Sequence, residues 1–403
     1  MQNNEYVAIN NFLTAIQLIH TTYVDPEKVS YQKLFEAATH GILRELDPYS
    51  SFESPEKYQK TLEDTHGKYV GIGVTINQSQ EVCKIISVLP GSPADHAGLA
   101  AGDIITAIDG TAIDPSKPYP VQKIRGPRGS SVNLTVYRSS QDCMKEFKVT
   151  RDTVDFNTVN HVMVCGEHPE IGYFQILQFS KGTAKEVENA MDSLLKQNVQ
   201  AVIIDLRENP GGLLDAAVEV CSLFIPEGKT VVSLEGRDPR DNKTFKTLKN
   251  QKYEQIPLLL LVNQNSASCS EIMAGCFQDH KRAPVLGTRT FGKASVQTLF
   301  PDKQSGTALR ITTARYCTPN AQPIHEKGIT PDLEIKLSES VRQTILNRLR
   351  AAGPAAQATL PESIRDTQYL HGVNTLYGML WQEQEKKEKA DQTSSSADRS
   401  EME

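Results

Sequence analysis

Two short apolar runs in this 403-residue chain each break into a turn of small residues and then into a helical pattern, and these junctions constrain the fold more than any other feature. Ala201 to Arg207 (A-V-I-I-D-L-R) and Pro257 to Val262 (P-L-L-L-L-V) have the length and continuity of buried strands. Leu213 to Phe224 reads as the helix after the first, and Glu271 to His280 as the helix after the second. The first junction carries Asn209-Pro210-Gly211-Gly212, whose glycines let backbone N–H groups approach a ligand closely. The second carries N-Q-N-S-A-S-C-S-E, Asn263 to Glu271, in which Ser268 stands among small residues where the first N–H groups of a helix converge. Such a turn is a common seat for a nucleophile, and a serine nucleophile needs a base.

Histidine is the usual base, and the chain has nine. His280 is the nearest in sequence, but at ~1.5 Å per residue it lies roughly 18 Å along the helix axis from Ser268, too far to take its proton. His325, in a Pro-containing loop, is not excluded by distance. Lys293, in T-F-G-K after the β-type run Ala283 to Gly287, is the better candidate. An ordinary lysine keeps its proton to a pH of ~10.4, so a lysine base near neutrality has to sit in a dry pocket that costs the charged form roughly 4 kcal/mol. Phe291 and Val296 flank it, and no acidic residue lies between Gly287 and Leu299 to keep it charged. Gln297, four residues on, can orient the amine by hydrogen bonding without a carboxylate's effect on its charge. The plainer account of Lys293 is a surface lysine.

Two competing chemistries are weaker. Gly287 to Lys293 spells G-x-x-x-x-G-K, close to a phosphate-cradling loop, but Ala294 stands where a serine or threonine would reach a metal ion. Cys269 is a second nucleophile candidate, although a cysteine at such a turn is more often a small buried filler.

In order along the chain, L-D-P-Y-S (Leu46 to Ser50), D-L-R-E-N-P-G-G (Asp205 to Gly212), N-Q-N-S-A-S-C-S-E-I (Asn263 to Ile272), T-F-G-K-A-S-V-Q (Thr290 to Gln297) and G-I-T-P-D (Gly328 to Asp332) resemble the carboxyl-terminal processing peptidases, or tail-specific proteases. The resemblance implies an α/β protease core of the crotonase and ClpP-like kind, mixed sheets with helices, with an embedded PDZ domain. It places a catalytic dyad on Ser268 and Lys293 with Gln297 in support, and an oxyanion hole on Gly211, Gly212 and the N–H of Cys269. Each such donor is worth ~3 kcal/mol in the transition state. Cys269 departs from the family's usual alanine or glycine, which matters little where only a backbone N–H is used.

The block I-I-S-V-L-P-G-S-P-A-D-H-A-G-L-A-A-G-D-I-I-T-A-I-D-G (Ile85 to Gly110), with G-I-G at Gly71 to Gly73 before it and I-R-G-P-R-G (Ile124 to Gly129) after it, looks like a bacterial-type PDZ domain. Pro93 to Ala97 reads as a short helix stopped by Gly98, and Ile104 to Ile108 and Ser131 to Arg138 read as strands. Such domains take a peptide by strand addition and hold its carboxylate on loop N–H groups, here those of Val70, Gly71, Ile72 and Gly73. In relatives PDZ occupancy governs the catalytic site, which makes Arg125 and Arg128 candidate coupling contacts; the plain alternative is solvated loop arginines.

These readings divide the chain into a helical N-terminal segment (1–67), a small α+β PDZ domain (68–151), the protease core (152–337), a C-terminal helical segment (338–382) and a charged, Ser-rich tail (383–403) with too little apolar surface to order itself. Tyr6, Val7, Ile9, Phe12, Leu13, Ile16 and Ile19 form a helical stripe that suits a core or a homodimer interface. A net charge of −6 argues against nucleic acid. No H-E-x-x-H or C-x-x-C motif occurs among the histidines and seven cysteines, so no metal or cofactor is expected. The expected partners are proteins or peptides with free, unstructured apolar C-termini, with an adaptor or activator protein allowed. Met1 to Glu5 lacks the start of an export signal, yet relatives work in the bacterial envelope or a plastid lumen, which makes the periplasm or cell envelope the expected place and the cytoplasm the alternative. The rival functions are a proteolytically inactive tail-binding protein and an apolar ligand carrier on the same fold; both predict a broken dyad, and every member is present.

Overall fold

The structure is a computed structural model and describes residues 2–66, 68–78, 83–89, 91–100, 102–113, 123–139, 141–155, 157–352 and 365–400. The chain divides into two compact units, one made of 1–61, 235–241 and 295–315, the other of the remaining residues.

In the first unit, helices Gln2–Thr22 and Tyr31–Leu46 precede a short strand, Ser51–Glu53. That strand pairs antiparallel with Ala308–Arg310, which belongs to a hairpin that pairs Ser295–Pro301 with the following strand up to Arg315. Glu53 is fully buried and takes the Arg310 guanidinium at 2.7 Å. The predicted apolar stripe of the first helix is exposed over Tyr6, Val7, Ile9, Phe12, Leu13 and Ile19, so among the described residues it serves no core.

The second unit holds two modules, numbered here in chain order. The first comprises β1 (Lys68–Gly71), β2 (Val74–Gln78), β3 (Cys83–Val88), α1 (Pro93–Ala97), β4 (Ile104–Ile108), β5 (Ser131–Arg138), β6 (Cys143–Thr150) and β7 (Asp152–Asp155). The sheet runs β2-β3-β4-β5-β6, all antiparallel, and β1 pairs with β7. Ile72, Ile85, Ile105, Ile108, Val132, Leu134, Val136 and Val149 form its core. Gly98 ends α1 at φ 86°, a left-handed cap that only glycine adopts freely. Asp103 takes the Arg138 guanidinium through two 2.7 Å bonds, and that guanidinium also lies over the Phe147 ring.

The second module begins with β8 (Val159–Cys165) and β9 (His168–Ile176), continues through α2 (Thr183–Leu195), β10 (Ala201–Asp205), α3 (Leu214–Ser222), β11 (Leu258–Val262), α4 (Cys269–Asp279), β12 (Val285–Gly287) and β13 (Leu333–Glu334), and ends with α5 (Glu339–Ala352) and α6 (Thr367–Ser400). Its sheet runs β8 to β13 in order; β9 to β13 are parallel and β8 is antiparallel to β9. Every residue of β10 and β11 is buried, because a parallel sheet covered on both faces has no polar side, which is why these strands read as unbroken apolar runs. One face packs Tyr173, Ile203, Leu259, Leu261 and Leu286 against the stripe Tyr369, Val373, Leu376 and Leu380 of α6. Helix α6 then continues to Ser400, where the sequence predicts a disordered tail from Glu383. The run E-Q-E-K-K-E-K-A from Glu383 is rich in strong helix formers, so the backbone prolongs an already docked helix. Residues 401–403 lie outside the described residues.

Candidate active site

Both predicted junctions sit at the same end of neighbouring strands, because β10 and β11 are parallel and in register, Asp205 opposite Leu261. The loops after them meet. The Ala267 N–H donates to the Asn209 carbonyl at 3.0 Å, and Ser270 Oγ donates to the same oxygen at 2.9 Å. The two glycines are required by crowding. A Cβ on Gly211 would fall 2.6 Å from the Ser268 Cβ, and one on Gly212 would fall 2.0 Å from the Phe179 carbonyl oxygen.

Helix α4 starts at Cys269, two residues earlier than its apolar pattern suggests, with Ser268 as N-cap at φ 57° and ψ −116°. A non-glycine residue held there costs ~1–3 kcal/mol and persists only where its surroundings over-determine it. Glu271, which is fully buried, supplies that determination. Its Oε1 accepts from Thr290 Oγ1 and the Gly292 N–H, each at 2.6 Å. Its Oε2 accepts from the Ser268 N–H and the Lys293 N–H, each at 2.9 Å. Two donors sharing one acceptor oxygen lie within about 6 Å of each other, so this single carboxylate brings the backbone N–H groups of Ser268 and Lys293 together across 25 residues of chain. Burial pushes the Glu271 carboxyl above its ordinary range, while its four donors pull the other way.

The sequence has no acidic residue between Gly287 and Leu299; from outside that window Glu271 arrives from α4 against the lysine's backbone N–H. The S-x-x-E spacing from Ser268 to Glu271 is a capping-box signature and was the available signal. Lys293 itself is half-buried and follows Gly292 at φ 91°. Its carbonyl accepts from the Tyr316 hydroxyl, and the Tyr316 N–H donates to the Ala294 carbonyl at 2.9 Å, which ties both sides of the lysine down. Gln297 falls in the first unit, where its amide donates to Ser295 Oγ at 2.8 Å and Thr312 Oγ1 at 3.2 Å.

Cys269 is an inert neighbour. Burial pushes its thiol up to about 12, even with Ser268 and Lys293 acting in the opposite sense, and its Sγ donates to the Gly212 carbonyl at 3.2 Å. His280 closes the far end of α4, with Nε2 on the Thr230 carbonyl at 2.7 Å. The G-x-x-x-x-G-K decoy dissolves as well: Gly287 (φ 136°) is a glycine because a Cβ there would lie 1.9 Å from the Val262 carbonyl oxygen.

Of the three predicted oxyanion donors, the Gly211 N–H is already spent on Asn209 Oδ1 at 2.8 Å. Asn209, buried and anchored through Nδ2 to the Ile176 carbonyl at 2.8 Å, shapes the loop from inside. The Cys269 N–H occupies the first helical position, which has no intrahelical acceptor.

A buried network missed by sequence reasoning lies directly before this loop. Arg207 donates to both oxygens of Asp205, to Asp366 at 2.9 Å and to Gln368 at 3.1 Å, and the Tyr173 hydroxyl donates to Asp205 at 2.8 Å. It joins the end of β10 to the start of α6, and nothing local in D-L-R announces that pairing across the chain.

In the smaller module, Val70 to Gly73 form the end of β1 and the turn into β2. Their carbonyls are used internally: Ala94 N–H donates to Ile72 at 2.8 Å and Leu89 N–H to Gly73 at 2.9 Å. Gly73 (φ 81°) lies so close to Ser92 that a Cβ would come within 2.2 Å of it. The next strand, β2, pairs only with β3 among the described residues, so its other edge is open to an added strand. Arg125 and Arg128 are exposed, and Arg128 is paired with Asp152 at 2.6 Å. The loop that carries them is held by buried Arg151, which donates to the carbonyls of Ile124 and Lys123 at 2.8 and 2.9 Å.

Comparison with known proteins agrees with this geometry. The model of peptidase family S41 matches residues 170–335, and that of the PDZ domain matches 84–138. A carboxy-terminal-processing protease of Bartonella bacilliformis is 36% identical over 83% of this chain and 76% of its own length. The chain belongs to peptidase family S41. A CtpA-like serine protease of Staphylococcus haemolyticus is 38% identical over 77% of the chain, which spans 61% of that protein. An S41 protease structure from Bacteroides fragilis superposes with a TM-score of 0.53 at 18% identity, over 77% of this chain and 85% of that one, a likeness of fold alone. This S41 chain is a serine peptidase with a PDZ domain, and its substrates are proteins.

Proposed function

We propose that the chain is an endopeptidase that cuts proteins near their C-termini, with Ser268 as nucleophile and Lys293 as general base. The observation that carries this is Glu271 Oε2 taking the N–H of both residues. Neutral Lys293 takes the Ser268 hydroxyl proton as Oγ attacks the scissile carbonyl. The Cys269 N–H and the Gly212 N–H receive the developing oxyanion, with Gly211 setting the loop through Asn209. The tetrahedral intermediate expels the amine, which leaves with the proton held by Lys293. A water then gives its proton to the lysine and hydrolyses the acyl-enzyme.

The open edge of β2 and the turn at Val70–Gly73 suit an extended peptide whose carboxylate ends in that turn, which fits a substrate's free, apolar C-terminus. Arg125 and Arg128, on the loop held by Arg151, stand as the contacts through which occupancy reaches the protease module. The exposed stripe of the first helix suits a homodimer, and the family's habit points to the bacterial envelope as the place of work.

The test is cleavage of an unfolded protein ending in a free apolar C-terminus by the parent, Ser268→Ala and Lys293→Ala, from about pH 6 to pH 10, which brackets a desolvated and an ordinary lysine. A cutting parent, two dead variants and a rate that climbs with pH to a plateau are expected. Activity surviving in Lys293→Ala would remove the lysine from the mechanism, and three equally inert proteins would favour a tail-binding protein without proteolysis.

A further inference from the structure

Glu208, the residue before the Asn-Pro-Gly-Gly loop, is, like Ser268, a non-glycine residue at positive φ, here 62°. Its carboxylate is gripped from three directions. Asn263 Nδ2 donates to Oε1 at 2.8 Å, Asn265 Nδ2 to Oε2 at 2.7 Å, and Arg342 of α5 to Oε1 at 2.6 Å. The grip is returned, because Asn263 Oδ1 accepts from the backbone N–H groups of Glu208 and Asn265, each at 3.1 Å. Asn263 is buried, whereas the Arg342 and Glu208 side chains keep 19% and 27% of their surface exposed. The contacts bind three pieces of chain that are remote in sequence: the start of the glycine loop, the start of the nucleophile loop, and a helix 134 residues further on.

We propose that Glu208 and Arg342 form a latch that sets the glycine loop at its working distance from Ser268, which makes both of them positioning residues. The inference rests on the proposed protease reading. Its physical basis is the tight contact of Gly211 with Ser268: a loop packed that closely is moved by whatever fixes its first residue. An oxyanion donor works only at its final distance, and a misplacement on the order of 1 Å costs as much as 100-fold in rate. Arg342 matters because it holds the carboxylate in the rotamer that both asparagines use. Its Nε and Nη2 donate to Glu339, so the arginine is itself held in place from within its own helix.

Four variants separate this role from plain stability. Glu208→Gly keeps the left-handed backbone and deletes the carboxylate; Arg342→Ala removes the outer partner alone; Arg342→Lys restores a charge; the double variant tests whether the two act together. The readouts are kcat and KM on the peptide substrate, and affinity for a peptidyl boronic acid, which places an anionic oxygen where the oxyanion forms. The latch predicts a fall in kcat of about tenfold for Glu208→Gly and Arg342→Ala with KM changed by less than about twofold. It also predicts a matching loss of boronate affinity, partial rescue in Arg342→Lys, and a double variant no worse than the worse single one. Parental kcat in both single variants, a loss confined to KM, or additive losses in the double variant would overturn it. An inert parent that also ignores the boronate would instead sink the protease reading itself.

Discussion

Glu271 shows how one buried carboxylate fixes the backbone of Ser268 against that of Lys293. Its carboxylate has four donors on two oxygens, including both backbone positions that matter. Glu271→Gln keeps the shape but turns one acceptor oxygen into an NH₂ facing N–H donors, and a drop in kcat on the order of 100-fold follows from the misplaced pair. Steady-state kinetics on the folded variant measures it. The same carboxyl, raised by burial, has to be ionised to accept all four donors. Activity therefore falls on the acid side as pH drops through a value above the ordinary carboxylate range, and a pH–rate profile of the parent locates that limb. Gly211→Ala is a second residue-level test. A Cβ placed 2.6 Å from the Ser268 Cβ, on a residue at φ 102°, has to push one loop aside, so activity is lost while the far-UV circular dichroism stays.

Among the elements, α6 and the PDZ sheet depend on buried ion pairs. Arg207 links Asp205 at the end of β10 to Asp366 at the start of α6, and all three are buried. Arg207→Met strands two carboxylates, a loss of about 3–5 kcal/mol. The expected signs are a lower urea midpoint, earlier proteolysis at α6, and lost activity, because the Glu208–Gly212 loop starts at the next residue. In the PDZ module, burial works against the Asp103 carboxylate, but the Arg138 guanidinium and the Ala100 N–H outweigh it and hold it below its usual range. A depressed carboxyl contributes stability that is fully present above its unfolded value of ~3.9 and is lost as pH falls through the folded one. Arg138→Ala is expected to lower PDZ stability at neutral pH by about 3 kcal/mol and to flatten its loss in acid, which thermal melts from pH 2 to 7 would show.

Across the whole molecule, the two ends of α6 behave differently. Its first half lies on the sheet through Tyr369, Val373, Leu376 and Leu380, whereas the second half extends through a run rich in Glu and Lys. Deleting residues 383–403 is expected to leave activity unchanged and to shift the unfolding free energy by less than about 0.5 kcal/mol. Deletion from Thr367 uncovers one face of the sheet and should prevent folding; an active product of that deletion would contradict the packing described here. The amino-acid sequence alone determined what local pattern can encode. The β10 and β11 strands are legible because both faces are buried, and the two strand-to-helix junctions because they interrupt apolar runs; the roles given to Ser268 and Lys293 there rest on the resemblance. Motif order supplied the rest of the protease and PDZ reading. Only the tertiary structure decided which groups serve them. Glu271 on Lys293, Asn209 on Gly211, Arg207 on Asp366 and Glu208 on Arg342 are hydrogen-bonded pairs. Apart from Asn209 and Gly211, their members are 22 to 159 residues apart. A polar side chain carries no mark in the sequence of the partner it will meet, because that partner is chosen by the packing of strands and helices, and burial then makes the pairing obligatory.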